Sequence, residues 1–225
     1  MIHHLVALVA ALAVAAEAQS SQAQPISDPG TYGPQPEIVH LYNDEWPTGI
    51  AVSKSGRMFS NYPPALDPND QAYTVAEIFS NNTERAYPSA QINSPPGGRI
   101  NYTNYPPTGA GTPNYFVGVQ SVVIDPADRL WVLDTGRVAT SNGTQLTASF
   151  GGPKLVGIDL TTNAIFKTIV FDSMAAPADS VSIYLQFGLP VTLTITTVPQ
   201  RCPFRPHPLP DLVWSRCRLY FRFLS

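Results

Sequence analysis

The sequence predicts an all-β chain: a partial β-propeller of about two to two-and-a-half blades, ending in an irregular C-terminal tail. Three observations carry this expectation. A strand–turn–strand pattern occurs twice, each copy is followed by material for two further strands, and no stretch beyond the N-terminus sustains helical periodicity.

The chain opens on Met1–Ala18, whose apolar core from Leu5 to Ala16 is 12 residues long. A membrane-spanning helix needs about 20. Ala16-Glu17-Ala18 offers a small-x-small cleavage site, so residues 1–18 read as a signal peptide with Gln19 as the mature start. No later run is long enough to span a bilayer, and the mature chain is expected to be secreted and extracellular. Residues 19–36 read as a flexible N-terminal segment.

Residues 37–187 carry the propeller signal. Gly49-Ile-Ala-Val-Ser-Lys-Ser-Gly-Arg-Met-Phe59 aligns without a gap on Ser121-Val-Val-Ile-Asp-Pro-Ala-Asp-Arg-Leu-Trp131, an offset of 72 residues. Each copy has an apolar strand, a polar turn, an arginine (Arg57, Arg129) and an aromatic residue (Phe59, Trp131). Repeated antiparallel units of this kind mark propeller blades, whose usual period is about 40–50 residues. The excess falls in Ser94–Tyr115, which is rich in Pro, Gly, Asn and Tyr and has no strand pattern. Ala72–Phe79 and Glu84–Tyr87 supply the outer strands of the first blade (residues 46–92). Lys154–Leu160 and Ala164–Phe171 supply those of the second (residues 116–171).

The segment Val119–Gly136, with its ending Arg129-Leu-Trp-Val-Leu-Asp-Thr-Gly136, resembles the signature of the major royal jelly/Yellow protein family. Pro153-Lys-Leu-Val-Gly-Ile-Asp-Leu-Thr-Thr-Asn163, Thr48-Gly-Ile-Ala-Val52 and Gly56-Arg-Met-Phe59 resemble other family segments in the expected order. The resemblance runs over residues 37–187. It implies the N-terminal part of a secreted six-bladed propeller, here truncated. It also implies a small ligand, amine or sterol-like, in some members, and dopachrome conversion in melanin formation in others.

At Gly188 the composition changes. Residues 188–225 hold five Arg, one Asp, no Lys and both cysteines, with prolines from Pro190 to Pro210. This tail reads as unrelated to the propeller, disordered or mis-spliced. The competing reading is a disulfide between Cys202 and Cys217 in an oxidising compartment.

Chemistry in the body is sparse. There is no Gly-x-Ser-x-Gly elbow, phosphate loop or His-Glu-x-x-His motif, so no catalytic residue, metal site or cofactor is assigned. His40, between Val39 and Leu41, reads as a strand residue. Asp134 reads as a turn cap near Gly136. The net charge of −3 gives no sign of a nucleic-acid surface. Loops entering the innermost strands of a propeller meet at one mouth of the channel, which places Thr48, Gln120 and Ser121 as candidate ligand-binding residues. For Thr48 and Gln120 the default reading is hydrogen bonding to neighbouring blade backbone. Asn81, Asn101 and Asn142 begin Asn-x-Thr sequons in predicted loops and are candidate glycosylation sites. The expected function is therefore a non-catalytic binder of small ligands. The alternatives are a dopachrome-converting enzyme and a non-functional fragment that self-associates through open sheet edges.

Overall fold

The computed structural model describes residues 37–42, 46–66, 72–188, 192–199 and 218–221. The chain divides into a unit Met1–Glu37 and a unit Ile38–Ser225, and every described strand lies in the second. No helix occurs among the described residues.

Alternating apolar and polar residues, bounded by Gly, Asn and Asp turns, produce short antiparallel strands. The first blade is β1 (Gly49–Val52), β2 (Met58–Asn61), β3 (Val75–Phe79) and β4 (Thr83–Ala86), hydrogen-bonded in that order. Two dipeptide strands, β5 (Ile100–Asn101) and β6 (Thr108–Gly109), pair inside the long connection, where the sequence shows no strand pattern. The second blade is β7 (Val119–Ile124), β8 (Arg129–Thr135), β9 (Pro153–Asp159) and β10 (Ala164–Val170), again in sequential order. A third sheet holds β11 (Ser180–Gly188), β12 (Thr192–Pro199) and β13 (Arg218–Phe221). Backbone pairing thus continues past Gly188, and two strands fall within the stretch read from its composition as an irregular tail. Cys202 and Cys217 lie outside the described residues, as do residues 1–18, read as a signal peptide, and the 19–36 segment.

Strand β7 packs beside β1 on one side and β11 on the other. The core between the blades joins Ala51, Phe59, Val75 and Tyr87 of the first to Val119, Val122, Leu130, Val132, Val156 and Ile158 of the second. None of the three large sheets closes on itself. On β1, Ile50 and Val52 alternate with buried Ala51 and are more than half exposed.

The two hairpins repeat in atomic detail. Ser53 N–H donates to the Arg57 carbonyl at 2.8 Å, and Asp125 N–H to the Arg129 carbonyl at 3.0 Å. Gly56 (φ 83°) and Asp128 (φ 61°) occupy the same left-handed position, and each returns its N–H to the carbonyl three residues back. Glycine takes that conformation without steric cost, and Asp is among the few side chains that tolerate it. Between the blades, atoms 72 residues apart meet: Thr48 Oγ1 donates to the Gln120 carbonyl at 3.0 Å and Lys54 Nζ to the Pro126 carbonyl at 2.8 Å. The sequence offset is therefore a physical contact between equivalent positions.

Blade 2 is organised around Asp134, which is wholly buried. Its carboxylate accepts N–H groups from Val117 (2.8 Å), Gly118 (2.9 Å) and Gly136 (2.8 Å), together with Lys154 Nζ at 2.8 Å. Lys154, equally buried, gives its remaining protons to the Thr112 and Gly152 carbonyls at 3.2 and 3.0 Å. Every charge and donor in this cluster is matched, the condition under which a buried ion pair is tolerated. The turn-capping role read for Asp134 is present, with Lys154 added to it.

Asp134→Ala would strand the Lys154 charge and three buried N–H groups. We expect a loss of about 3–5 kcal/mol, seen as a lower urea midpoint or no folded fraction at all.

Candidate functional site

The end of blade 1 nearest blade 2 brings the three sequence-designated residues together. Thr48 precedes β1, while Gln120 and Ser121 open β7. The Thr48 hydroxyl donates to the Gln120 carbonyl and accepts from Asn61 Nδ2 at 2.7 Å. Strand β7 carries a register shift between Val119 and Ser121, so Gln120 is the extra residue of a bulge. Bulges re-aim a side chain out of the ladder and occur next to functional sites. The half-buried side chains of Gln120 and Ser121 make no hydrogen bond among the described residues. Thr48 is committed to the blade junction, the alternative read for it and for Gln120.

Asn61 is the residue sequence reading missed. It ends β2, is fully buried, and donates its amide to Thr48 and to the Val119 carbonyl at 3.2 Å. Among the described residues its Oδ1 accepts no hydrogen bond. The space beside that oxygen exists because residue 49 is glycine: a Cβ there would lie 2.7 Å from Asn61 Oδ1. A buried carboxamide oxygen without a donor costs roughly 1–3 kcal/mol. Nothing in the sequence marks Asn61, because an Asn after a strand reads as an ordinary turn residue.

The charged groups sit elsewhere. Arg57 is half of an ion pair with Glu77 (2.7 Å) on β3, and Arg129 pairs with Asp125 (2.7 Å). Burial pushes the Glu77 carboxyl up, but the hydrogen bonds and charge of Arg57, helped by Arg85, outweigh it and leave the group below its usual range. Asp125 follows the same balance: burial raises it, while Arg129, the Trp131 indole N–H and the Arg129 backbone N–H bring it down. Tyr62 is driven far above its ordinary value by burial and by the Glu84 carboxylate, and Tyr87 is raised mainly by burial. Among the described residues no group of three or more His, Cys, Asp and Glu converges as a metal site would require. A cleft of about 380 Å³ opens away from the mouth, between Ser55, Asp128, Arg129, Asp159 and Thr161, and its polar groups already serve the hairpin turns.

His40 does not lie in a strand as the sequence suggested. It sits in an irregular segment with its ring against Glu84, 2.9 Å away. The three sequon asparagines share one geometry. Oδ1 of Asn81 and of Asn101 accepts from the hydroxyl of the sequon threonine, at 2.5 Å (Thr83) and 2.6 Å (Thr103). All three Oδ1 atoms accept the N–H of the sequon threonine, at 3.3 Å (Thr83), 2.9 Å (Thr103) and 3.2 Å (Thr144). Asn81 and Asn142 are exposed and Asn101 is half-buried.

Open antiparallel sheets set side by side with their first strands adjacent, and with polar groups gathered where those strands begin, define a partial β-propeller. Residues 117–195 match the family described as "Major royal jelly protein". The "Yellow-related salivary protein M10" of Phlebotomus duboscqi is 31% identical over 132 residues, covering 58% of this chain and 27% of that protein. Over the part these matches cover, the chain is similar to the major royal jelly/Yellow family. It spans little more than a quarter of the length of the curated relative.

These shifts set the expected pH dependence of stability. Glu77 and Asp125 are lowered on folding, so their contribution is present above their ordinary values of 4.5 and 3.8 and is lost as pH falls below these through their lowered folded values. Tyr62 and Tyr87 are raised, so their contribution is present below 10.0 and is lost as pH rises beyond it. The urea midpoint should form a plateau that falls away on both sides, and Glu77→Gln should flatten the acid limb; an unchanged acid limb would show that the Arg57 pair is not what titrates.

Proposed function

We propose that this is a secreted Yellow-like protein that binds a small ligand, amine or sterol-like, at the propeller mouth without transforming it. The observation that carries the reading is the uncommitted polar set there: the Gln120 amide held out by a bulge, the Ser121 hydroxyl beside it, and the unpaired Asn61 oxygen below. These groups orient a ligand by hydrogen bonding, whereas the paired carboxylates of the blades are occupied in structural bridges. Amides and hydroxyls recognise donors and acceptors, and a hydroxyl without an adjacent base is a weak nucleophile at neutral pH.

Secretion is supported by the reading of residues 1–18 and by the salivary relative. Glycosylation at Asn81, Asn101 and Asn142 is supported by their common turn geometry. We further propose that the chain self-associates through its open sheets, on the strength of exposed Ile50 and Val52 on β1.

Titration calorimetry of the purified chain with serotonin or dopamine tests the central claim. Binding without product is expected, weakened about tenfold by Gln120→Ala, the value of one hydrogen bond to a charged group. Loss of dopachrome with formation of dihydroxyindole above background would instead establish an enzyme. Binding unaffected by Gln120→Ala and Ser121→Ala would move the site elsewhere. For self-association, a weight-average mass rising with concentration in sedimentation is the expected result, against a constant monomer mass.

A further inference from the structure

The turn before the last strand of each blade carries an asparagine in the left-handed region: Asn82 (φ 60°) before β4 and Asn163 (φ 55°) before β10. In blade 2 that turn is filled from the preceding blade. Arg57 Nη1 donates to the Leu160 carbonyl at 2.7 Å, and Arg57 Nη2 donates to Asn163 Oδ1 at 2.9 Å. Tyr87 adds its hydroxyl to the same Asn163 oxygen at 2.9 Å. A cation and one neighbouring donor thus plug a carbonyl and a carboxamide oxygen.

Blade 1 has no preceding blade among the described residues, yet its turn is filled in the same manner. Residues 38–42 form no strand and run across it. Leu41 N–H donates to Asn82 Oδ1 at 3.0 Å; the His40 ring places Nδ1 3.1 Å from the Phe79 carbonyl and Nε2 2.9 Å from Glu84 Oε1. The two oxygens facing the imidazole are a backbone carbonyl and a Glu84 carboxyl oxygen, one at each ring nitrogen. The other Glu84 oxygen is closed by the hydroxyls of Tyr62 (2.5 Å) and Tyr73 (3.1 Å). Tyr42 packs its ring edge-on to His40 and donates its hydroxyl to Ser60 at 3.2 Å. The His40 and Glu84 side chains are 4% and 9% exposed.

We propose that the blade-ending turn is a docking socket for a cationic side chain flanked by a further donor, and that residues 38–42 are a clasp filling the blade 1 socket with His40 as Arg57 fills that of blade 2. The partner this surface fits is a basic arm, supplied here by the same chain. A merely packed histidine would be replaceable by a neutral side chain of similar bulk; a plug in this socket is replaceable by arginine.

Amide exchange at Leu41 in full-chain variants tests this. His40→Ala should speed Leu41 exchange about tenfold, the worth of a charge-assisted hydrogen bond, and His40→Arg should return it to near the parent rate. If His40→Ala does not fold, Asn82→Gly keeps the left-handed turn while deleting the Leu41 acceptor. It should free Leu41 and leave the β3–β4 amides protected. Leu41 exchange unchanged in His40→Ala or Asn82→Gly, or His40→Arg behaving like the alanine variant, would overturn the proposal.

Discussion

A single carboxylate at the end of β8 determines how the second blade is assembled. Asp134 faces inward with no solvent contact, so its charge must be met inside the protein, and four donors from three parts of the chain converge to meet it. Two are the N–H groups that lead into β7, one belongs to the turn after β8, and one is the ammonium of Lys154 on β9. Because Lys154 also reaches back to Thr112, the long connection is drawn into the same network. The entry to the innermost strand, and with it the bulge at Gln120, is held in place by this cluster. The candidate ligand groups are therefore positioned from below by a site that touches no ligand.

The blades keep backbone geometry and exchange side-chain partners. Ser53 and Asp125 stand at the same hairpin position and both accept the N–H of the arginine four residues on, at 2.9 Å. In blade 2 that acid also carries the arginine side chain, whereas in blade 1 the carboxylate has moved to Glu77 on β3. The relocation matters because a guanidinium held by β3 is aimed at the next blade, and Arg57 reaches Leu160 and Asn163. Arg129, held by its own turn, lies over the Phe166 ring instead, 4.9 Å from its centre. The same residue type in the same register thus becomes a bridge or a lid according to where its counter-charge sits.

Much of the fold was legible because it rests on local rules. The hairpin copies, the left-handed turn positions and the Asp134 cap depend on residues within a few positions of one another, and their types announce them. What escaped depends on partners far along the chain. Lys154 is an unremarked strand lysine until it meets Asp134. Asn61 resembles any turn asparagine until Gly49 leaves its oxygen bare. His40, flanked by Val39 and Leu41, has the alternation of a strand, yet its ring is claimed by Glu84, 44 residues away. The bulge at Gln120 is invisible in composition because it is a mismatch of register between two apolar runs. The strands after Gly188 were missed because composition speaks of side chains, whereas the ladder is made of backbone.

The hydrogen bonds between residues 72 apart have a geometric consequence. A contact in which one unit gives through Thr48 and Lys54, and the next receives through Gln120 and Pro126, is heterologous: its donor and acceptor faces are different surfaces. An interface of that type contains no instruction about how many units to add. Whether such a series becomes a ring or an unending spiral is set only by the rotation that each junction imposes.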